Sequence, residues 1–147
     1  MSGETTDSTM LCVNTFENNK SVNSLCVSGD RLFSGSWDRT IKVWDLNSGA
    51  CVQTLEEHED AVYSVCVSGD RLFSASADNT IKVWDWRSGV CVRTLLGHED
   101  EVVSVCVSGD RLFSGSNDKT IKVWELGDGV EITGSVSIQD GIDQVFA

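Results

Sequence analysis

The string CVSGDRLFS occurs three times, at 26–34, 66–74 and 106–114, always 40 residues apart. TIKVW returns on the same interval, at 40–44, 80–84 and 120–124. A fixed period of this length means that one supersecondary unit is copied and that each copy buries its faces against its neighbours. The frame is therefore a property of the repeat, and individuality lies where the copies differ.

Residues 62–95 serve as the model unit. VYSVCV is β-branched and aromatic, Ser68-Gly69-Asp70 supplies turn residues, and RLFSAS reads as a second short strand. Ala77-Asp78-Asn79 turns the chain into TIKVWDW, and Arg87-Ser88-Gly89 turns it into VCVRTLL. Val62, Val65, Val67, Leu72, Phe73, Ile81, Val83 and Trp84 put apolar groups on both faces, whereas a sheet with one wet face would alternate. No stretch keeps a 3.6-residue apolar spacing between turn signals, which argues against helix. Sheets buried on both faces and packed radially on copies of themselves make a β-propeller. The predicted fold is all-β, a partial propeller of about three four-stranded antiparallel blades over 22–55, 62–95 and 102–137. A stray strand is expected at each end. LCVNTFE at 11–17 matches ACVQTLE at 50–56, the fourth strand of a blade. Asp140, Ile142 and Val145 stand two periods beyond Asp60, Val62 and Val65, as the first strand of a fourth blade would.

Composition narrows the function. The opening MSGETTDSTM is polar and acidic, so 1–10 reads as a disordered leader before the repeat segment 11–147. No run of 18 apolar residues offers a helical membrane span, and no membrane partner is expected. A net charge of −12 repels phosphate backbones, and the bases are scattered or periodic, so no nucleic-acid partner is expected. Cys26, Cys66 and Cys106 share one slot of the repeat and Cys51 and Cys91 another, with Cys12 a near match. Without close pairs such as CxxC they read as small apolar strand residues in a reducing compartment, hence cytoplasm or nucleus. Neither metal nor other cofactor is expected.

Three features now converge. The third strands close as Trp44-Asp45, Trp84-Asp85 and Trp124-Glu125; His58 and His98 precede the second and third blades; and SGSWDRTIKVWD spans the second and third strands of blade one. Over 11–147 the chain resembles WD-repeat proteins. The phrase LFSGSxDxTIKVWD is also similar to propellers appended to F-box ubiquitin-ligase subunits, RING-type ligases and myosin heavy-chain kinases. The resemblance implies a buried hydrogen-bonded tetrad in each blade: His58, Ser74, Asp78 and Trp84, then His98, Ser114, Asp118 and Trp124. Blade one offers Ser34, Asp38 and Trp44, but Asn18 and Asn19 stand where the His would be, so it is expected to be the looser blade. A Ser-His-Asp set invites a catalytic reading. A triad occurs once, in a cleft, whereas this set recurs with the fold, so no catalytic residue is assigned.

The resemblance also places the partner-binding face on the loops before the first strand and between the second and third. Its slots here are Ser21, Asn23 and Trp37, then Ala61, Tyr63 and Ala77, then Glu101, Val103 and Asn117. They vary while their neighbours are copied. Trp37 stands where the other copies have Ala77 and Asn117, so the frame does not require an aromatic there. Trp86 replaces Leu46 and Leu126 at the far edge and reads as packing. Arg31, Arg71 and Arg111 sit beside Asp30, Asp70 and Asp110 at the opposite end and read as solvated turn residues.

The expected function is a non-catalytic protein–protein interaction scaffold or adaptor for other proteins or peptides, such as partner or substrate recognition within a ubiquitin-ligase or kinase assembly. The alternative is an incomplete propeller that associates with itself, as a homo-oligomer completing the ring, or with another propeller half.

Overall fold

The computed structural model describes residues 10–127 and, as backbone, the strands 132–139 and 142–146. The leader, but for Met10, and Asp140 lie outside the described residues. Blade one contains β1 (Val22–Ser28), β2 (Arg31–Ser36), β3 (Ile41–Asp45) and β4 (Cys51–Leu55). Blade two contains β5 (Val62–Ser68), β6 (Arg71–Ser76), β7 (Ile81–Asp85) and β8 (Val90–Leu95). Blade three contains β9 (Val102–Ser108), β10 (Arg111–Ser116), β11 (Ile121–Leu126), β12 (Ile132–Gln139) and β13 (Ile142–Phe146). Neighbours in sequence pair antiparallel throughout, and the three sheets form an open arc. Among the described residues no helix is long and apolar enough to cross a membrane.

The first hairpin of each blade shows why the strands start and stop where they do. Ser28 pairs with Arg31 across the two-residue loop Gly29-Asp30, and Gly29 takes φ 59°. A positive φ at the first central position gives the turn a twist that matches its strands, and glycine adopts it without Cβ strain. The turn after the second strand is held differently. Asp78 Oδ1 accepts from the Thr80 amide at 3.0 Å and the Thr80 hydroxyl at 2.6 Å. Between them Asn79 is driven to φ 74°, and its counterparts Arg39 and Lys119 to 76° and 73°.

The core consists of two near-identical seams. Phe33, Ile41, Val43 and Leu55 of blade one pack on Val62, Val65, Leu72 and Trp84 of blade two. Phe73, Ile81, Val83 and Leu95 pack on Val102, Val105, Leu112 and Trp124 in the same way. Each fully buried large side chain contributes about 1.5–3 kcal/mol, so the seams rather than isolated sheets hold the arc together. Trp86 extends the first seam. It is buried edge-to-face on Phe33 at 5.2 Å, and its ring N–H donates to the Gly69 carbonyl at 3.0 Å.

The two ends differ from the sequence expectation. Residues 11–17 form no strand. Their outer-strand pattern is real: Phe16 stacks edge-on against Trp44 at 5.5 Å, and Cys12 repeats the Cys51 thiol contacts to a carbonyl and a threonine. A strand, however, needs a ladder partner, and among the described residues no strand pairs with this segment. At the other end β13 does form. It pairs with β12 as a fifth strand of blade three instead of opening a fourth sheet. A strand two residues beyond its predecessor can fold back on it, and that edge was open.

Candidate functional site: an aromatic and acidic row on a fixed frame

The frame of the loop face comes first. Trp84 donates its ring N–H to Ser74 Oγ at 2.9 Å, His58 Nε2 lies 2.6 Å from the same oxygen, and His58 Nδ1 lies 2.9 Å from Asp78 Oδ2. A carboxylate only accepts, so Nδ1–H donates to Asp78, and in the neutral ring Nε2 accepts from the serine hydroxyl. Asp78 Oδ2 also takes the Glu59 amide at 3.0 Å. Burial alone pushes the Asp78 carboxyl up, but His58, Thr80 and the Glu59 amide outweigh it and hold it far below the usual carboxylate range. Blade three repeats the set, with His98 at 2.7 Å from Asp118 and 2.8 Å from Ser114, and the Trp124 N–H at 3.0 Å from Ser114. Ser74 is fully buried and already accepts from a tryptophan, so it has neither access to a substrate nor the poise of a nucleophile.

Blade one keeps half of this device. Trp44 donates to Ser34 at 2.9 Å. In the histidine slot, Asn18 donates to Asp38 at 3.3 Å and to Ser36 Oγ at 2.9 Å, while its Oδ1 is buried without a partner. Lys42 adds a charge contact to Asp38 at 3.3 Å. The missing histidine thus loosens the link to Ser34 but leaves Asp38 with donors.

Backbone bonds pin the loops to this frame. The Trp37, Ala77 and Asn117 amides donate to the Ser21, Ala61 and Glu101 carbonyls at 3.0, 2.9 and 2.9 Å. On the surface so fixed, Trp37 is 51% exposed and meets Tyr63 edge to face at 6.0 Å. The Tyr63 hydroxyl donates to Glu101 at 3.1 Å, and the Asn117 amide reaches the same carboxylate at 3.5 Å. Burial first, then Glu101 and Asp60, raise the Tyr63 phenol above its ordinary value. Four side chains from three blades therefore form one continuous row. Exposed carboxylates Glu59, Asp60, Glu99 and Asp100 border it.

The other expected slots divide. Val103 is exposed beside the row, Ser21 is exposed, Ala77 is half-buried, and Asn23 is exposed while bridging blades through a 2.9 Å bond to the Val62 carbonyl. Ala61 is a correction: expected on the partner-binding face, it is fully buried, with its carbonyl and amide both tied down by hydrogen bonds within the loops. The bordering acids carry no signal of their own in the sequence, because they sit in the near-copied EHED and GHED segments at 57–60 and 97–100.

The opposite end carries the turn arginines, two of them near carboxylates. Arg31 contacts Asp30 and Asp45 at 3.2 and 3.5 Å, Arg71 lies 3.9 Å from Asp85, and Arg111 is exposed. All six cysteines are free thiols. Burial pushes Cys26 up to about 12, and burial together with Cys26 and Cys106 does the same for Cys66. Such thiols are inert packing groups. Among the described residues no cluster of His, Cys, Asp and Glu is arranged to hold a metal ion.

Antiparallel blades stacked through matching seams, each locked by a Trp–Ser–His–Asp relay or its remnant, define the class. The sequence pattern of the "WD domain, G-beta repeat" family matches residues 10–45, 49–85 and 89–125, and the chain belongs to that family. WD repeats act as scaffolds for protein–protein interaction. The first match begins in the 10–17 segment, as a repeat that starts in an outer strand would. Similar curated proteins include Mitochondrial division protein 1 of Kluyveromyces lactis, 46% identical over 31% of this chain and 6% of that protein. Nuclear distribution protein PAC1 of Candida glabrata is 53% identical over 34% of this chain and 11% of its own length. The putative E3 ubiquitin-protein ligase LIN-1 of Lotus japonicus is 49% identical over 31% of this chain and 3% of its own. The chain thus spans only a small part of these relatives. Among solved structures, the computationally designed Ika4 protein superposes with a TM-score of 0.73 at 26% identity, covering 90% of this chain and 94% of that one.

Proposed function

We propose that the chain is a non-catalytic recognition module whose loop face docks a protein segment carrying an apolar residue next to Lys or Arg. The single observation behind this is the Trp37–Tyr63 pair, with Trp37 half exposed, Tyr63 partly buried beside it and carboxylates in the flanking loops. Exposed aromatics supply contact area at low entropic cost, and a cation over a Trp or Tyr face gains about 0.5–2 kcal/mol. The acids bordering the row add attraction and exclude acidic partners. Free thiols throughout suit a reducing compartment, the cytoplasm or nucleus. Presentation of a substrate or partner to a larger assembly, as the name of the LIN-1 relative suggests, fits such a face.

The test is capture of partners from a cytosolic extract by the wild-type chain, by Trp37→Ala and by Glu101→Lys, scored by mass spectrometry. Partners that leave with both substitutions, and whose binding segments are basic, support the reading. An identical partner set for all three proteins removes Trp37 and the row from the binding surface.

A further inference from the structure

The outer faces of blades one and three are unpaired copies of a seam that the molecule builds twice. Val22 and Leu25 on β1 are 46% and 59% exposed, whereas their equivalents Val62, Val65, Val102 and Val105 are 0–6% exposed. On the far side of blade three Ile121 is 54% exposed, while Ile41 and Ile81 are at 0%. Phe113 has likewise lost the cover that Phe33 and Phe73 have. A Cβ added at Gly115 would meet nothing within 4 Å, whereas one at Gly35 would come within 2.8 Å of Val62.

We infer that these two faces bind each other between two copies of the chain, head to tail, and that two such joints close a six-bladed ring. Blade three of one copy presents Phe113, Gly115 and Ile121 as blade one presents Phe33, Gly35 and Ile41 to blade two. Blade one of the other copy presents Val22, Leu25 and Leu32 as blade two presents Val62, Val65 and Leu72. A polar rung continues with them. Ser24 Oγ accepts the Val65 amide at 3.0 Å and Ser64 Oγ accepts the Val105 amide at 3.1 Å. Exposed Ser104 is the third member of that series, and Leu25 of the incoming copy brings the amide it would accept. The joint is therefore a continuation of the established interface and not a new surface.

Size favours closure over a single joint. A four-stranded face with about six residues per strand measures about 19 by 20 Å at ordinary strand spacing and rise, roughly 400 Å². One joint then covers about 800 Å², short of what a stable complex needs, while the two joints of a closed pair cover about 1,600 Å², the standard size. Six blades fall within the range of four to eight that propellers adopt. The contact is heterologous, so both faces are used once per copy. The outer edge of β11 already carries β12, so residues 10–17 of the incoming copy give way there.

Sedimentation velocity on the full chain, from low to high micromolar concentration, tests this. The expected wild-type particle has twice the 16.0 kDa mass of one chain. Leu25→Lys and Ile121→Lys, each at a position already more than half exposed, should each leave a monomer with an unchanged far-ultraviolet circular dichroism spectrum. A wild-type monomer at every concentration overturns the inference, as does an open series of larger assemblies. A pair that survives either substitution also overturns it, because a face-to-like-face dimer needs only one of the two surfaces.

Discussion

Asp78 accepts a hydrogen bond from Nδ1 of His58 at 2.9 Å, and the chain repeats the pair 40 residues on as Asp118 and His98 at 2.7 Å. Burial pushes both carboxyls up, yet their hydrogen-bond donors hold them far below the ordinary range. A carboxyl with a depressed folded-state pKa stabilises the fold above its unfolded value of about 4 and loses that contribution as pH falls toward the folded one. The thermal midpoint should therefore fall steeply below about pH 4. Asp78→Asn and Asp118→Asn should lower the midpoint at neutral pH and flatten its acid limb, which scanning calorimetry across pH would record. An acid limb as steep in the double variant as in the wild type would contradict the assignment.

Gly35 and Gly115 occupy the same slot, but only Gly35 is covered. Its added methyl would come within 2.8 Å of Val62 Cγ1 and 3.3 Å of Val65 Cγ1. Ala75 fills this slot in blade two, fully buried in the seam with Val102 and Val105, so Val62 has a small shift to make and Gly35→Ala should cost less than about 1 kcal/mol in denaturant unfolding. In the monomeric Leu25→Lys background, Gly115→Ala should be neutral or stabilise by up to about 1 kcal/mol through the unfolded chain.

Arg39 and Lys119 hold φ 76° and 73° in the turn where blade two has Asn79 at 74°. Asparagine tolerates this region better than either long side chain. Arg39→Asn and Lys119→Asn should each raise stability by about 0.5–1 kcal/mol, read as a shift in urea midpoint at unchanged slope.

Asn18 fills the histidine slot of blade one, with its Oδ1 buried and without a partner. Asn18→His would restore the relay from Asp38 to Ser34 and should stabilise the chain by about 1 kcal/mol. Hydrogen exchange on β2 and β3 should slow, and exchange in blade three should not change.

The frame was legible because its cause is local and repeated. Gly29, Asp78 and Trp84 each have one conformational or hydrogen-bonding task, and the period displays each task three times. The segment 11–17 carries the right side chains for an outer strand, but pairing is decided by a neighbour that sequence periodicity does not supply. β13 shows the converse: a strand-forming stretch takes whichever open edge is nearest. Within the site, Trp37 and Tyr63 stood out as the unlike residues in their slots. Their contact, and the Tyr63–Glu101 bond, link different blades at 26 and 38 residues' separation, a relation that exists only once the arc has formed. The burial of Ala61 is not legible in the sequence, because a slot's exposure depends on how its loop folds over it.

The seams have one more consequence. Every seam sets the same kinds of side chain against each other, so gaining or losing a whole unit leaves the core residues of the remaining units matched. Gene duplication can lengthen such a molecule without any simultaneous repair of its interior. Each added copy extends the recognition row by one position, free to diverge while the scaffold beneath it stays the same.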